Sequence, residues 1–276
     1  MSRLIICYEQ DLPSFNMKEQ LLERFRWEDM GSDGENSYLR HGDDVLMTIG
    51  CMHVHAESID RKAEEFGVKA DEMVVLSRHS SSSGKPTLTV HPIGNYRNNE
   101  MGGRAETLVR PTPHLMTSTL RRMAVLNDDP AYSVSFEVTH HGPYADIPTM
   151  YIEIGSDESH WGDKGAAKTL IDSLLSAEEK DYPVVIGVGG GHYAPRFTDL
   201  VLSSKVDIGH MVPNYQILDS SDEDASRMIG SAAKATGTDM VYVHRNSMKG
   251  PEERRINAII DSLGLERVSS KDFDSL

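Results

Sequence analysis

Cysteine is nearly absent from this chain: Cys7 and Cys51 are the only two among 276 residues. Two thiols make no disulfide framework and cannot build a zinc ribbon alone, so any metal must be held by histidines and carboxylates. Both lie in apolar, strand-like segments and read as buried free thiols, which suits a reducing, cytosolic compartment. Long hydrophobic runs are missing as well. No stretch reaches the roughly 18 apolar residues of a membrane-spanning helix. The apolar start, Leu4–Tyr8, is interrupted by Glu9 and Asp11 and reads as a first buried strand rather than a signal peptide. Positive charge is scarce: 28 Lys and Arg against 43 Asp and Glu leave a net charge of −15. That excess argues against broad, non-specific phosphate binding, but leaves room for a nucleic acid gripped by a local basic patch.

Several familiar motifs are absent too. A dinucleotide fingerprint starting at Gly187 would need glycine where His192 stands. In Ser83-Gly84-Lys85-Pro86-Thr87, His79 occupies the place of the first P-loop glycine and Pro86 that of the Ser/Thr. There is no G-x-S-x-G elbow and no H-E-x-x-H. Nothing supports NAD or ATP, and activated water is preferred to a covalent acyl-enzyme, with histidine as base or metal ligand.

What is present is an apolar content of 38% and alternating strand and helix patterns. Strands are expected at 4–8, 44–50, 72–77, 87–92, 132–139, 149–154, 183–188, 205–209 and 240–244, from apolar, β-branched runs bounded by turn residues. Helical spacing marks 14–28, 158–176 and about 252–263, the last ending at Gly264, and places Arg121 and Arg122 on a further helix. Ser220-x-x-Glu223 resembles a capping box for a helix that stops near Gly237. The fold class is α/β: one compact domain over residues 1–276, with a largely parallel or mixed central sheet flanked by helices. Two polar loops, 80–85 and 95–104, are long enough to be functional.

The most informative segment is Gly187-Val188-Gly189-Gly190-Gly191-His192-Tyr193-Ala194-Pro195, which follows the strand-like Pro183–Ile186. Consecutive glycines leave the backbone bare, so a ligand's anionic group can approach Gly189, Gly190 and Gly191 N–H groups, and an imidazole follows at once. Five of the twelve histidines fall at expected strand ends: His79, His91, His140, His192 and His210. α/β folds build their sites there. His140 and His141 are adjacent, so an extended backbone would point them to opposite faces unless the Gly142-Pro143 turn twists them together. His53-x-His55 has a spacing that suits a metal pair, without a certain third ligand. Glu137, Glu153 and Asp207 lie nearby; each is either an outward-facing strand residue or a buried carboxylate that needs a partner. Arg78, Lys85, Arg121-Arg122 and Arg254-Arg255 could meet phosphates or simply pair on the surface.

Taken together, certain segments resemble the archaeal and plant type of D-aminoacyl-tRNA deacylase (D-tyrosyl-tRNA deacylase). They are Ser77-Arg78-His79-Ser80, Thr87–Asn95, Glu137-Val138-Thr139-His140-His141-Gly142-Pro143, Tyr151–Ser156, Gly187–Thr198, Gly209-His210 with Pro213 and Tyr215, and Lys249-Gly250. The resemblance spans nearly the whole chain in order; His53 and His55 match nothing in it. It implies hydrolysis of the ester between a D-amino acid and the terminal ribose of tRNA, an association with zinc, and a fold likened to peptidyl-tRNA hydrolase and nucleoside phosphorylases.

On that basis His140, His141, His192 and Glu153 are expected to surround the ester, with His140, His192 and His210 as zinc ligands. Gly189, Gly190 and Gly191 would cradle the oxyanion or ribose-phosphate, while His79, Lys85, Thr139 and Arg196 would bind the tRNA end. Rejection of L substrates needs only a pocket whose walls clash with the L side chain. The expected state is a cytoplasmic monomer with tRNA as its partner. The alternatives are a nucleoside phosphorylase or peptidyl-tRNA hydrolase activity, or a non-catalytic tRNA-binding protein.

Overall fold

The computed structural model describes residues 1–276. The expected strands are present as β1 (Arg3–Cys7), β4 (Asp44–Thr48), β5 (Glu72–Arg78), β6 (Thr87–Pro92), β7 (Ser133–Phe136), β8 (Thr149–Gly155), β9 (Val184–Val188), β10 (Asp207–Val212) and β11 (Met240–Val243). Three further strands are β2 (Glu28–Ser32), β3 (Ser37–His41) and β12 (Glu266–Val268). β2 and β12 are short and mostly exposed, so they carry no alternation of apolar and polar residues from which to read them.

The helices are α1 (Leu12–Arg24), α2 (Ile59–Glu65), α3 (Pro113–Leu126), α4 (Glu158–Trp161), α5 (Lys164–Leu175), α6 (Pro195–Ser203), α7 (Asn214–Ile217), α8 (Asp222–Thr236) and α9 (Gly250–Ser262). The helix expected over 158–176 is broken in two, because the Asp163 side chain accepts from the Gly165 and Ala166 N–H groups and starts α5 anew. Ser221 rather than Ser220 caps α8, accepting from Asp224 N–H. That helix ends where Gly237 turns left-handed, φ +78°.

The expected central sheet is there, and it is mixed: eight strands in the order β2-β3-β4-β1-β5-β8-β6-β7. A second sheet, which the sequence reading did not separate from it, is parallel with the order β10-β9-β11-β12. Pairing registers explain how the large sheet buries opposite things on its two faces. Ser77 and Thr89 both flank Glu153, Tyr151 flanks His91, and Ser135 flanks Thr89. Side chains alternate along a strand, so Ser77, His79, Thr89, His91, Ser135, Glu137, Tyr151 and Glu153 share one face. Leu76, Leu88, Val90, Phe136, Ile152 and Ile154 share the other, in a hydrophobic core roofed by α1, α3 and α5.

The same core continues into the small sheet through Val185, Phe197, Ile208, Met211 and Tyr242. Past its end, β7 crosses to that sheet: Val138 N–H donates to His192 O (3.0 Å), Ala194 N–H to Phe136 O (3.0 Å) and Thr139 N–H to Met211 O (3.3 Å). The seam between the sheets is therefore where residues 137–141 and 191–194 meet.

The apolar context of both cysteines predicts burial, whereas the fold buries Cys7 and exposes Cys51. Burial raises the Cys7 thiol from its ordinary 9.0 to about 11, which makes its thiolate about a hundredfold scarcer near neutral pH. Titration with an aromatic disulfide at pH 8 should therefore show one fast thiol per folded chain, abolished by Cys51→Ser. A second fast thiol before unfolding would contradict the burial of Cys7.

Candidate active site

Two carboxylates and five imidazoles converge at the seam. Glu137 is fully buried, and one of its oxygens, Oε2, meets three histidines: His192 Nε2 at 2.8 Å, His79 Nδ1 at 3.0 Å and His140 Nε2 at 3.6 Å. Glu153 lies behind it, 3.6 Å from His79 Nδ1 and 3.6 Å from His91 Nε2. The His91 ring packs 4.3 Å from His140 and 4.9 Å from His141, centroid to centroid. His141 reaches the cluster because its backbone is left-handed, φ +43°. That is the twist by which two adjacent histidines both come to pack on His91.

The imidazole tautomers follow from what surrounds them. A carbonyl oxygen only accepts, so His140 Nδ1–H donates to Val138 O (2.7 Å), His141 Nδ1–H to Gly142 O (2.6 Å) and His91 Nδ1–H to Pro92 O (3.2 Å). Nε2 is then the nitrogen that each turns to the cluster, and ligand atoms of these three lie within 4.8 Å of one another. So do those of His79, Glu137 and His192, and of His91, Glu137 and Glu153. Buried His79 Nε2, His91 Nε2 and Glu137 Oε1 have no hydrogen-bond partner, as expected of atoms waiting for a ligand.

Electrostatics divide the cluster into charged and neutral members. Burial by itself would lower the His79 imidazole, but the carboxylates of Glu137 and Glu153, 3.0 and 3.6 Å away, outweigh it and push it up to about 11. His91 is raised for the same reason, against the same burial. Burial would raise the two carboxyls. The imidazoles of His192 and His79 instead hold Glu137 well below the usual carboxylate range, and those of His79 and His91, each 3.6 Å away, hold Glu153 at about 2. The two carboxylates thus favour the charged forms of His79 and His91. His140 and His141 are held well below the usual histidine range, first by burial and then by the charge on His91, so they are neutral lone-pair donors.

Other expected site residues are placed elsewhere. His210 is fully buried and spans Thr139 Oγ1 (3.0 Å) and Val109 O (2.9 Å), so both its nitrogens are occupied and it lies outside every metal-competent group. The set His140, His192 and His210 is therefore not assembled. Thr139 is equally structural: its hydroxyl accepts from Met211 N–H (2.9 Å). Gly189 N–H donates to Val212 O (2.8 Å) and Gly190 N–H to Ser247 Oγ (2.9 Å). Both glycines are left-handed, φ +109° and +85°, and that turn leaves the N–H groups of Gly191 and His192 without a protein acceptor.

Lys85 and Arg196 are exposed; Arg196 borders a cleft with His244 and Arg245. His53 is buried on Asp11 (3.0 Å) while His55 is exposed, so the pair does not share a ligand. Asp207 is tied to His114 and Arg121 (2.6 and 2.9 Å) rather than to the site. Glu137 and His91, the two residues that knit the cluster, were visible only as a strand carboxylate and a strand-end histidine. Their joint role depends on register.

Buried carboxylates gripping imidazoles at strand ends define a site for acid–base or metal-assisted hydrolysis. Comparison with known proteins gives this class a family. The pattern of D-aminoacyl-tRNA deacylase matches residues 66–268, and the chain belongs to that family. It is 37% identical to the D-aminoacyl-tRNA deacylase of Methanococcoides burtonii over its whole length, while covering 58% of that longer relative. It is 35% identical to that of Methanosarcina mazei, covering 95% of this chain and 90% of the relative. The Thermococcus kodakarensis protein is 34% identical, with 96% and 98% covered. A crystal structure of a conserved protein of unknown function superposes at TM-score 0.88 with 29% identity, over 100% of this chain and 99% of that one.

Proposed function

We infer that this chain is a hydrolase that cleaves the ester of D-aminoacyl-tRNA, freeing the D-amino acid and the tRNA. The observation that carries this reading is Glu137, one of whose buried oxygens meets His192 and His79 at 2.8 and 3.0 Å, with His140 beside them, within a member of the deacylase family. His192 is the exposed member, and its Nδ1 is neither buried nor bonded to protein. Glu137 fixes its tautomer by accepting from Nε2–H, which leaves Nδ1 to take a proton from water as the water oxygen bonds to the ester carbon. The N–H groups of Gly191 and His192 stand free to receive the oxyanion. Collapse breaks the bond to the ribose oxygen, which recovers the proton from His192. His141 stands beside His140 with the His91 ring packed behind, and the Glu153 carboxylate favours the charged forms of His79 and His91. Lys85 and Arg196 are proposed to meet phosphates of the tRNA end.

The donor set fits zinc. It offers two groups, His79, Glu137, His192 and His91, His140, His141, both with unpartnered buried nitrogens. Zinc held at either would supply Lewis-acid polarisation of the ester carbonyl. Residues 1–276 are proposed to act as one domain, supported by the core that both sheets share, and as a cytoplasmic monomer. No helix is long and apolar enough to cross a membrane.

The test is ester loss from D-tyrosyl-tRNA and L-tyrosyl-tRNA, with and without prior chelation. Rapid loss of the D ester alone is expected. Loss of neither ester would overturn the reading, and full activity after exhaustive chelation, with metal content verified as nil, would remove zinc from it.

A further inference from the structure

Tyr215, in α7, is 53% exposed, and it is the one Tyr, Phe or Trp that the fold leaves open to solvent. Its backbone is nonetheless firmly held. Asn214 N–H donates to Gly190 O (2.9 Å), Asn214 Nδ2 donates to Ser247 O (2.7 Å), and Arg97 Nη2 donates to Gln216 O (2.9 Å). Ser247 Oγ in turn accepts from Gly190 N–H (2.9 Å). The ring therefore stands on a turn clamped to the same loop that delivers His192. Its hydroxyl is the sheltered end: burial of the phenol, with the negative charge of Glu137, pushes it up to about 12.

The substrate's covalent geometry says what must lie there. If the ester carbon sits at His192, the terminal ribose is bonded to it, and the base on that ribose lies within roughly 8 Å of the carbonyl. Tyr215 offers an exposed aromatic face on the turn hydrogen-bonded to Gly190, two residues before His192, within reach of that base.

We propose that Tyr215 is the stacking platform for the 3′-terminal adenine of the tRNA, positioning the ester against His192 and Glu137. This rests on the deacylase reading of the site. Stacking on an aromatic side chain is sequence-tolerant and changes affinity about 5- to 150-fold per base.

The test is a thermodynamic cycle on binding. Deacylated acceptor minihelices ending in adenosine or in an abasic ribose are titrated against wild type, Tyr215→Phe and Tyr215→Ala, followed by fluorescence anisotropy. Tyr215→Ala and base removal should each weaken binding within that range and should not add, while Tyr215→Phe stays near wild type. In parallel, Tyr215→Ala should raise KM for D-alanyl- and D-tyrosyl-tRNA by similar factors with kcat within about threefold. Equal weakening by Tyr215→Ala with and without the base would overturn the proposal. A KM effect confined to D-tyrosyl-tRNA would also overturn it, by placing the ring against the amino acid. Failure of wild type to cleave any D ester would refute the deacylase reading instead, and the binding cycle would still decide the stacking.

Discussion

Glu137→Gln is expected to lower single-turnover deacylation of D-tyrosyl-tRNA about 10³-fold or more, within the range lost when the partner of a catalytic histidine is neutralised. The cause lies in the contacts of Oε2. A carboxylate accepts from His192 and His79 at once (2.8 and 3.0 Å) and approaches His140. An amide either turns its NH2 toward these histidines or keeps its oxygen there without the negative charge that favours protonated His79. His192→Ala should cost about 10²-fold or more by itself. The double variant should be no slower than Glu137→Gln alone, because the two residues act as one unit. A Glu137→Gln enzyme within threefold of wild type, correctly folded by circular dichroism, would remove Glu137 from the chemistry.

The second large effect falls on stability, far from the ester. Arg121, in α3, donates to Asp207 Oδ1 (2.9 Å) and to the carbonyls of Val201 (2.9 Å), Ser204 (3.2 Å) and Val206 (2.8 Å). It thereby fastens a helix of the large sheet to the first residue of β10 and the end of α6. Asp207 is 1% exposed, and burial raises its carboxyl in spite of His114 and Arg121, so the carboxylate depends on these partners. Arg121→Met should therefore destabilise the fold by about 3–5 kcal/mol, the usual penalty for stranding a buried charge. Asp207→Asn in the Arg121→Met background should recover part of that loss. Urea unfolding measures both. A loss below 1 kcal/mol for Arg121→Met would show that the pair is solvated and does not tie the sheets together.

The residues that made the site legible were those whose local context is chemically odd. A glycine triplet before His192, and the adjacent His140 and His141 before a Gly-Pro turn, are hard to read as packing, and all three histidines do meet in the cluster. His210 carried the same local mark, a histidine in a short strand followed by proline, yet it is a buried strut between Thr139 and Val109. Nothing within a window of ten residues distinguishes these cases. Thr139 and the Gly189 and Gly190 N–H groups misled for a related reason: a polar group at a strand end serves the fold or the ligand according to what the neighbouring strand offers it.

By itself, the sequence determined the local matters: where apolar runs become strands, where spacing becomes helix, that no thiol framework holds the fold, and which family the chain resembles. The tertiary structure alone decided that Glu137, Glu153, His79 and His91 share one face. β8 inserts between β5 and β6 although it follows β6 and β7 in the chain, and only then do Ser77, Glu153 and Thr89 fall in one row. Side-chain periodicity along a strand is a short-range property, written in successive residues. Which strand lies beside which, and in what register, is settled by burying both faces of the whole sheet at once, and a one-residue slip would send every one of these carboxylates and imidazoles to the apolar side.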